Sequence, residues 1–268
     1  MQQDGRLVVT VTPRPIQQYP LSLCIEHRFN GPPGTANGGY ISGRIAAAIG
    51  ETVNVRLHRP PPLDTQLTLS SVNENEWQLR HADALIAVAK SSHVPTAHVP
   101  AAVDYVAALA ASRRYSGHTQ HIFPTCFVCG PQRERGDGLR IFAGPVHETL
   151  HTPQAVTHGM GMGMVAAPWL PHESLDDGGG KVRPEFIWAA LDCPGYFASV
   201  VPGRTALLGE MTVHIERRVH IEEPCVIMGW QILIEGRKHK VGTALFDEDG
   251  ERCAVGMTTW IEMPTAVE

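Results

Sequence analysis

Two stretches carry the same text: Val53–Leu69, VNVRLHRPPPLDTQLTL, and Met211–Ile227, MTVHIERRVHIEEPCVI. They align without a gap at an offset of 158 positions, which places Val55 on Val213, Leu57 on Ile215, Arg59 on Arg217, Leu63 on Ile221, Leu67 on Cys225 and Leu69 on Ile227. Each copy is an alternating apolar strand, a basic residue, a turn bearing Pro or charge, and a second alternating strand. This is the pattern of an antiparallel pair. One structural unit is therefore expected twice.

The length fits that reading, because 268 residues divide into two units of a size that can each bury a core. Residues 43% hydrophobic and 18% charged describe a globular chain rather than a disordered or fibrous one. A net charge of −5 with no concentrated basic run argues against a nucleic-acid partner. No apolar stretch is long enough to span a bilayer, and the N-terminus Met1-Gln2-Gln3-Asp4-Gly5-Arg6 lacks the features of a secretory signal. Six scattered cysteines do not form a disulfide framework. A cytoplasmic protein is expected.

Outward from the repeat, the first half is expected to hold strands at Leu7–Val11 and Leu21–Phe29. The loop Gly31-Pro32-Pro33-Gly34-Thr35-Ala36-Asn37-Gly38-Gly39 then opens onto a helix over Tyr40–Ile49, ended by Gly50. Strands over Val53–His58, Gln66–Val72 and Leu85–Ser92 follow. The Ala-rich and polar residues around 100–120 read as a linker, dividing the chain into 1–112 and 113–268. The second half repeats the order: strands at Gly138–Phe142 and Val156–Trp169, and a helix over Arg183–Cys193 stopped or kinked at Pro194-Gly195. Strands over Met211–Arg217, Val226–Ile234, Lys240–Asp247 and Ala254–Met263 complete it, with Asp249-Gly250 as a hairpin turn.

A helix that follows two strands and is wrapped by three or four more resembles the hot-dog fold, and the whole chain resembles a double hot-dog protein. The implied class is α+β, two tandem hot-dog domains, each an antiparallel sheet around a central helix. The motifs resemble those of phenylacetate-pathway acyl-CoA thioesterases, where His-Gly-Gly starts the central helix and an acid lies nine positions after the His. Here Asn37-Gly38-Gly39 is followed by Ala46, and Arg183-Pro184-Glu185 by Asp192, so each half keeps half of the motif. Cys126-Phe127-Val128-Cys129-Gly130-Pro131, leading to Gly138-Leu139-Arg140-Ile141-Phe142, is similar to a segment found in many members of the thioesterase superfamily.

The resemblance implies thioester hydrolysis at one composite site, with an acyl-CoA or similar thioester as the partner molecule and no cofactor. Asp192 would be the acid, Gly38 and Gly39 would supply N–H donors at a helix N-terminus, and Asn37 would orient the carbonyl or the water. The reciprocal combination, Ala46 with Pro184, lacks both acid and donor. Assembly of double hot-dog units into a homo-oligomer is compatible with this reading. Two alternatives stand beside hydrolysis: an acyl-CoA-binding or regulatory module, and a hydroxyacyl-thioester dehydratase. The second rests on Arg28-Phe29-Asn30-Gly31, in which Arg replaces the needed His.

Other features have blander readings. His118, His121, Cys126 and Cys129 are residue types that zinc accepts, but a turn before a strand is the expectation there and no metal site is assigned. Cys193 reads as a small buried hydrophobe rather than a nucleophile. Gly159, Gly161 and Gly163 alternate with Met160, Met162 and Met164, which suits a strand and not a dinucleotide loop.

Overall fold

The computed structural model describes residues 19–93, 98–146, 163–201 and 203–264. Its elements in chain order are β1 Leu21–Cys24, α1 Gly38–Ile49, β2 Val53–Leu57, β3 Gln66–Asn73, β4 Glu76–His81 and β5 Ala84–Ser91. They are followed by α2 Tyr105–Ser112, β6 Gly144–Pro145, β7 Met164–Trp169, α3 Pro184–Ala190 and α4 Cys193–Ser199. The chain closes with β8 Ala206–Ile215, β9 Cys225–Glu235, β10 Lys238–Phe246 and β11 Arg252–Glu262.

Among the described residues, eleven strands form one sheet in the order β1-β3-β4-β5-β2-β8-β11-β10-β9-β7-β6, with every neighbouring pair antiparallel. The seam between β2 and β8 lies at the repeat. Outward from it, β5, β4, β3 and β1 on one side answer β11, β10, β9 and β7 on the other.

The correspondence extends to single hydrogen bonds. Asn37 N–H donates to Phe29 O at 2.8 Å and Arg183 N–H to Leu175 O at 3.1 Å; Ala36 N–H donates to Pro61 O at 2.9 Å and Val182 N–H to Val219 O at 3.0 Å. The offset between equivalent residues is 146 before the helices and 158 after them. The second copy is thus longer at the helix, and α4 with the loop after it takes up the difference.

α1 and α3 pack directly against each other, and at Gly39 and Gly43 the approach leaves no room for a side chain. A Cβ on Gly43 would lie 2.7 Å from Glu185 Cα, and one on Gly39 would lie 2.6 Å from Asp192 Cβ. Tyr40 and Phe186, equivalent by the 146 offset, face each other there with ring centroids 5.6 Å apart, while Phe29 stacks on Tyr40 at 4.1 Å. Both rings are buried with Ile41, Ile45 and Ile187, forming the core that apolar strand faces close over.

Several expectations need correction. The two strands of each repeat copy do not pair with each other: β2 lies between β5 and β8 and β3 between β1 and β4, while β8 lies between β2 and β11 and β9 between β10 and β7. The residues between β2 and β3 bond to the segments before α1, Ala36 N–H to Pro61 O and Asp64 N–H to Ile25 O, and so carry the chain across the sheet instead of reversing it as a hairpin. Leu21–Phe29 is a short strand followed by a 3-10 turn over His27–Phe29. Glu76–His81 is a further strand, tied to both of its neighbours. Gly138–Phe142 stays out of the sheet, because Arg140 adopts a positive φ of 56° and the segment bonds instead to the cysteine loop, Leu139 N–H to Phe127 O and Ile141 N–H to Val128 O. The Ala-rich stretch around 100–120 contains α2, whose Ala108 and Ala111 pack on Ala166, Val226, Met228 and Phe246 of the sheet. The expected helix over Arg183–Cys193 breaks at Leu191 and Asp192 and restarts as α4. Proline explains this, since Pro194 has no N–H to continue the ladder and its ring rejects the carbonyl one turn back.

The strand expected at Leu7–Val11 and the part of Val156–Trp169 before residue 163 lie outside the described residues. Among the described residues no helix is long and apolar enough to cross a membrane.

Candidate functional site

Asn37 caps α1. Its backbone is extended (φ −62°, ψ 132°), and its side-chain Oδ1 accepts a 2.9 Å hydrogen bond from Tyr40 N–H, as a helix N-cap does. The amide is then left with Nδ2 free to donate, and the break between α3 and α4 brings Asp192 to it. Asn37 Nδ2 donates to Asp192 Oδ2 at 2.9 Å, and Gly39 N–H donates to the same oxygen at 3.1 Å. Residues 155 positions apart in the chain thus meet at the head of a helix.

Asp192 is 2% exposed, and its second oxygen, Oδ1, is buried with no hydrogen-bond partner among the described residues. Burial raises this carboxyl to about 7, against the opposing pull of the Gly39 N–H; the sulfur of Cys126 adds to the rise and Asn37 opposes it. Gly38 N–H, at the first position of α1, has no acceptor among the described residues.

Asn37, Gly38 and Asp192 line one cavity of about 690 Å³, whose walls also include Leu208, Phe197 and Ile261. The volume falls in the range of small-molecule sites. Arg59, exposed on the lining, is the repeat equivalent of Arg217. Gly39 does not line the cavity. Its N–H is taken by Asp192, and its missing side chain is what admits Asp192 and Ala189 against α1.

The opposite combination is built differently. Ala46 is buried without a functional group, Pro184 opens α3 with no N–H, and Glu185 stands where Gly39 stands in the first copy. Glu185 is 8% exposed and its Oε1 lies 3.7 Å from Arg183 Nε.

The cysteine motif comes to the same cavity. Cys126, Cys129 and Cys193 are buried, line the wall, and hold their sulfurs within 4.8 Å of one another. Cys126 Sγ lies 3.8 Å from Cys193 Sγ, and hydrogen bonds from Cys129 and Cys193 hold the Cys126 thiol below its ordinary range. His121 Nε2 lies 3.3 Å from Cys129 Sγ, whereas His118 Nε2 turns to Ser112 O at 3.1 Å. The spacing within 118–129 does not disclose Cys193 as a member. Its adjacency to Asp192 is the signal in the sequence, because consecutive residues at a helix break share one wall.

Arg28 has a structural position: it donates to Gly136 O at 2.5 Å and Asp137 O at 3.0 Å, clamping the loop after the cysteine motif.

No family model matches the chain, and no curated protein matches it in sequence. Solved structures do match. The tesB protein of Mycobacterium avium subs paratuberculosis superposes with a TM-score of 0.60 at 13% identity, covering 94% of this chain and 96% of that one. A conserved protein of unknown function with hot dog fold from Alicyclobacillus acidocaldarius gives 0.58 at 8% identity over 91% and 93%. An acyl-CoA thioesterase II, TesB2, from Mycobacterium marinum gives 0.53 at 10% identity over 87% and 93%. Together with the antiparallel sheet and its enclosed helices, these likenesses identify the architecture of this chain as the hot-dog fold, carried along nearly its whole length.

Proposed function

We propose that the protein is a thioester hydrolase acting on an acyl-CoA or related acyl thioester, at one composite site between two tandem hot-dog halves, 1–112 and 113–268, in the cytoplasm. The observation that carries the reading is the state of Asp192. One carboxylate oxygen is held by Asn37 and Gly39, which fixes the group, while Oδ1 has no partner among the described residues and the residue borders a cavity of about 690 Å³. The name of the structural relative from Mycobacterium marinum, an acyl-CoA thioesterase II, supports the same class of reaction.

In this mechanism the thioester carbonyl oxygen accepts from Gly38 N–H, where the end of the helix dipole and an unpaired donor stabilise developing negative charge. Water lies between the carbonyl carbon and Asp192 Oδ1. As its oxygen bonds to the carbon, Asp192 takes its proton; the carbon–sulfur bond then breaks, and that proton passes to the departing thiolate. Asn37 acts as a positioning residue through its bond to Asp192 Oδ2. Arg59, exposed at the cavity, is suited to phosphate groups of the carrier.

Asp192→Asn tests the assignment. The amide keeps the shape but cannot accept the proton, so kcat against a panel of acyl-CoA esters is expected to fall by at least about a hundredfold with the thermal midpoint little changed. Equal turnover by the variant would remove Asp192 from the mechanism. Stable binding of acyl-CoA with no turnover by the unaltered protein would instead favour the acyl-CoA-binding module.

A further inference from the structure

The mechanism above leaves three buried thiols on the cavity wall without a task. Cys126, Cys129 and Cys193 place their sulfurs within 4.8 Å of one another, and Cys126 Sγ and Cys193 Sγ are 3.8 Å apart. Zinc–thiolate bonds of about 2.3 Å at tetrahedral angles set neighbouring sulfurs about 3.8 Å apart. Buried thiols that serve only as small apolar side chains gain nothing from converging on one point.

The loop that carries two of them is fixed from several sides. Cys126 N–H donates to Phe123 O and Gly130 N–H to Cys126 O, both at 2.9 Å, while Tyr115 Oη donates to Cys129 O at 2.8 Å. Cys193 is set by the helix break that also sets Asp192. A fourth donor stands at the edge of the group in His121, whose Nε2 is 3.3 Å from Cys129 Sγ. All four residues line the cavity, so a cation can reach them.

We propose that Cys126, Cys129 and Cys193, with His121 as the fourth donor, form a binding site for one thiophilic divalent cation of the zinc type. Three sulfurs and an imidazole suit zinc and exclude magnesium and calcium, which take oxygen ligands. Binding expels the three thiol protons to solvent. Ligation through Nε2 moves the imidazole proton to Nδ1, so the 2.9 Å bond that Phe123 N–H now makes to Nδ1 is given up. One backbone hydrogen bond is small against four coordinate bonds. The site would join the cysteine loop to the head of α4 and hold the corner on which Asp192 sits, a role independent of whether the protein hydrolyses thioesters.

The test uses the full chain, reduced and stripped with a chelator. Zinc titrated in competition with a chromogenic chelator is expected to bind at one equivalent per chain. Cobalt is expected to give thiolate charge-transfer absorption with the intense visible bands of a tetrahedral ion, and zinc to shield three of the six thiols from alkylation. Cys126→Ser and Cys193→Ser should each abolish stoichiometric binding, and His121→Ala should weaken it by at least about tenfold, the scale seen even for residues one shell out. His118→Ala and Cys24→Ser should bind as the unaltered protein does. Shielding of thiols in the unaltered protein keeps the test sound if a variant fails to fold.

Absence of cobalt charge transfer, or a Cys126–Cys193 disulfide in protein that takes up no zinc after reduction, would overturn the site. His118→Ala weakening zinc as much as His121→Ala would overturn the choice of fourth donor. None of these readings depends on acyl-CoA turnover, so failure of the metal site and failure of the hydrolase reading remain separate results.

Discussion

Asn54 Nδ2 donates to Thr212 Oγ1 at 3.0 Å across the β2–β8 seam, and the two residues are one repeat apart in sequence. Equivalent strands pair with each other at the centre of the sheet, so an approximate twofold axis passes between these two side chains. The flanking register, Val55 opposite Met211 and Arg56 opposite Glu210, follows from it. With only three residue pairs in that register, the seam depends on each contact. Thr212→Val, which leaves Asn54 Nδ2 without its acceptor, is expected to cost about 1–2 kcal/mol in urea unfolding. A double-mutant cycle with Asn54→Ala should show coupling above about 0.5 kcal/mol. Strict additivity would mean that the pair does not hold the seam.

Gly39→Ala tests how closely the two helices meet. The new Cβ would lie 2.6 Å from Asp192 Cβ and 2.9 Å from Trp188 O, so either α3 or the corner at Asp192 must move. A loss of about 1–3 kcal/mol is expected, with kcat reduced more than KM altered, because the displaced group is the proposed base. Unchanged stability and kcat would show that the site tolerates movement there.

Asn37→Ala removes two bonds at once, the cap to Tyr40 N–H and the donor to Asp192 Oδ2. The cap alone is expected to account for about 1 kcal/mol. Asn37→Asp preserves the cap acceptor but faces Asp192 with a second carboxylate. It should therefore restore stability lost through the cap less completely than Asn37→Ser does. Equal behaviour of the two replacements in thermal unfolding would deny the Asn37–Asp192 bond.

Much of this arrangement was legible in the chain. The offset of 158 pointed to one unit present twice, and the helix starts near Asn37 and Arg183 were readable from the loops before them; the pairing of strands was not, because β2 bonds to β5 and β8 rather than to the β3 that follows it. What escaped depended on tertiary contact. Ala-rich α2 has little amphipathic pattern of its own, and becomes a helix against Val226 and Phe246 of the sheet. Gly138–Phe142 alternates like a strand, yet Arg140 turns at positive φ and its neighbours bond to the cysteine loop. The meeting of Cys126 with Cys193, 67 positions apart, follows from the helix break at Asp192, which Pro194 signalled only as an interruption.

Acid is expected to weaken the fold through the cluster at Arg217. This side chain donates to Glu223 Oε1 at 2.7 Å and Asp247 Oδ2 at 2.5 Å. Burial pushes both carboxyls up, but the Arg217 guanidinium and nearby backbone N–H groups outweigh it and hold both below their ordinary values of 4.5 and 3.8. A carboxyl whose folded pKa is depressed contributes stability above its unfolded pKa and loses it as pH falls through the folded value. Arg217→Ala should accordingly cost about 1 kcal/mol at neutral pH, a modest figure because Arg217 is 43% exposed. The gap between variant and parent should narrow as pH falls below the ordinary carboxylate values. A gap that stays constant on acidification would place the source elsewhere.

The difference between the two helix heads makes the last expectation one of stoichiometry. Gly38 and Asp192 line the same cavity, and among the described residues Gly38 N–H has no acceptor and Asp192 Oδ1 no donor. At the equivalent place in the other copy, Pro184 has no N–H, Ala46 has no acid, and Glu185 lies beside Arg183 with little exposure. Titration calorimetry with a non-hydrolysable acyl-CoA analogue is therefore expected to give one site per chain. Asp192→Asn should keep that stoichiometry, since the amide still fits between Asn37 and Gly39, whereas Gly38→Pro should weaken binding by deleting the carbonyl donor. Two equivalent sites, or a ligand found beside Ala46 and Pro184, would mean that the loss of acid and donor in the second combination does not decide where the substrate binds.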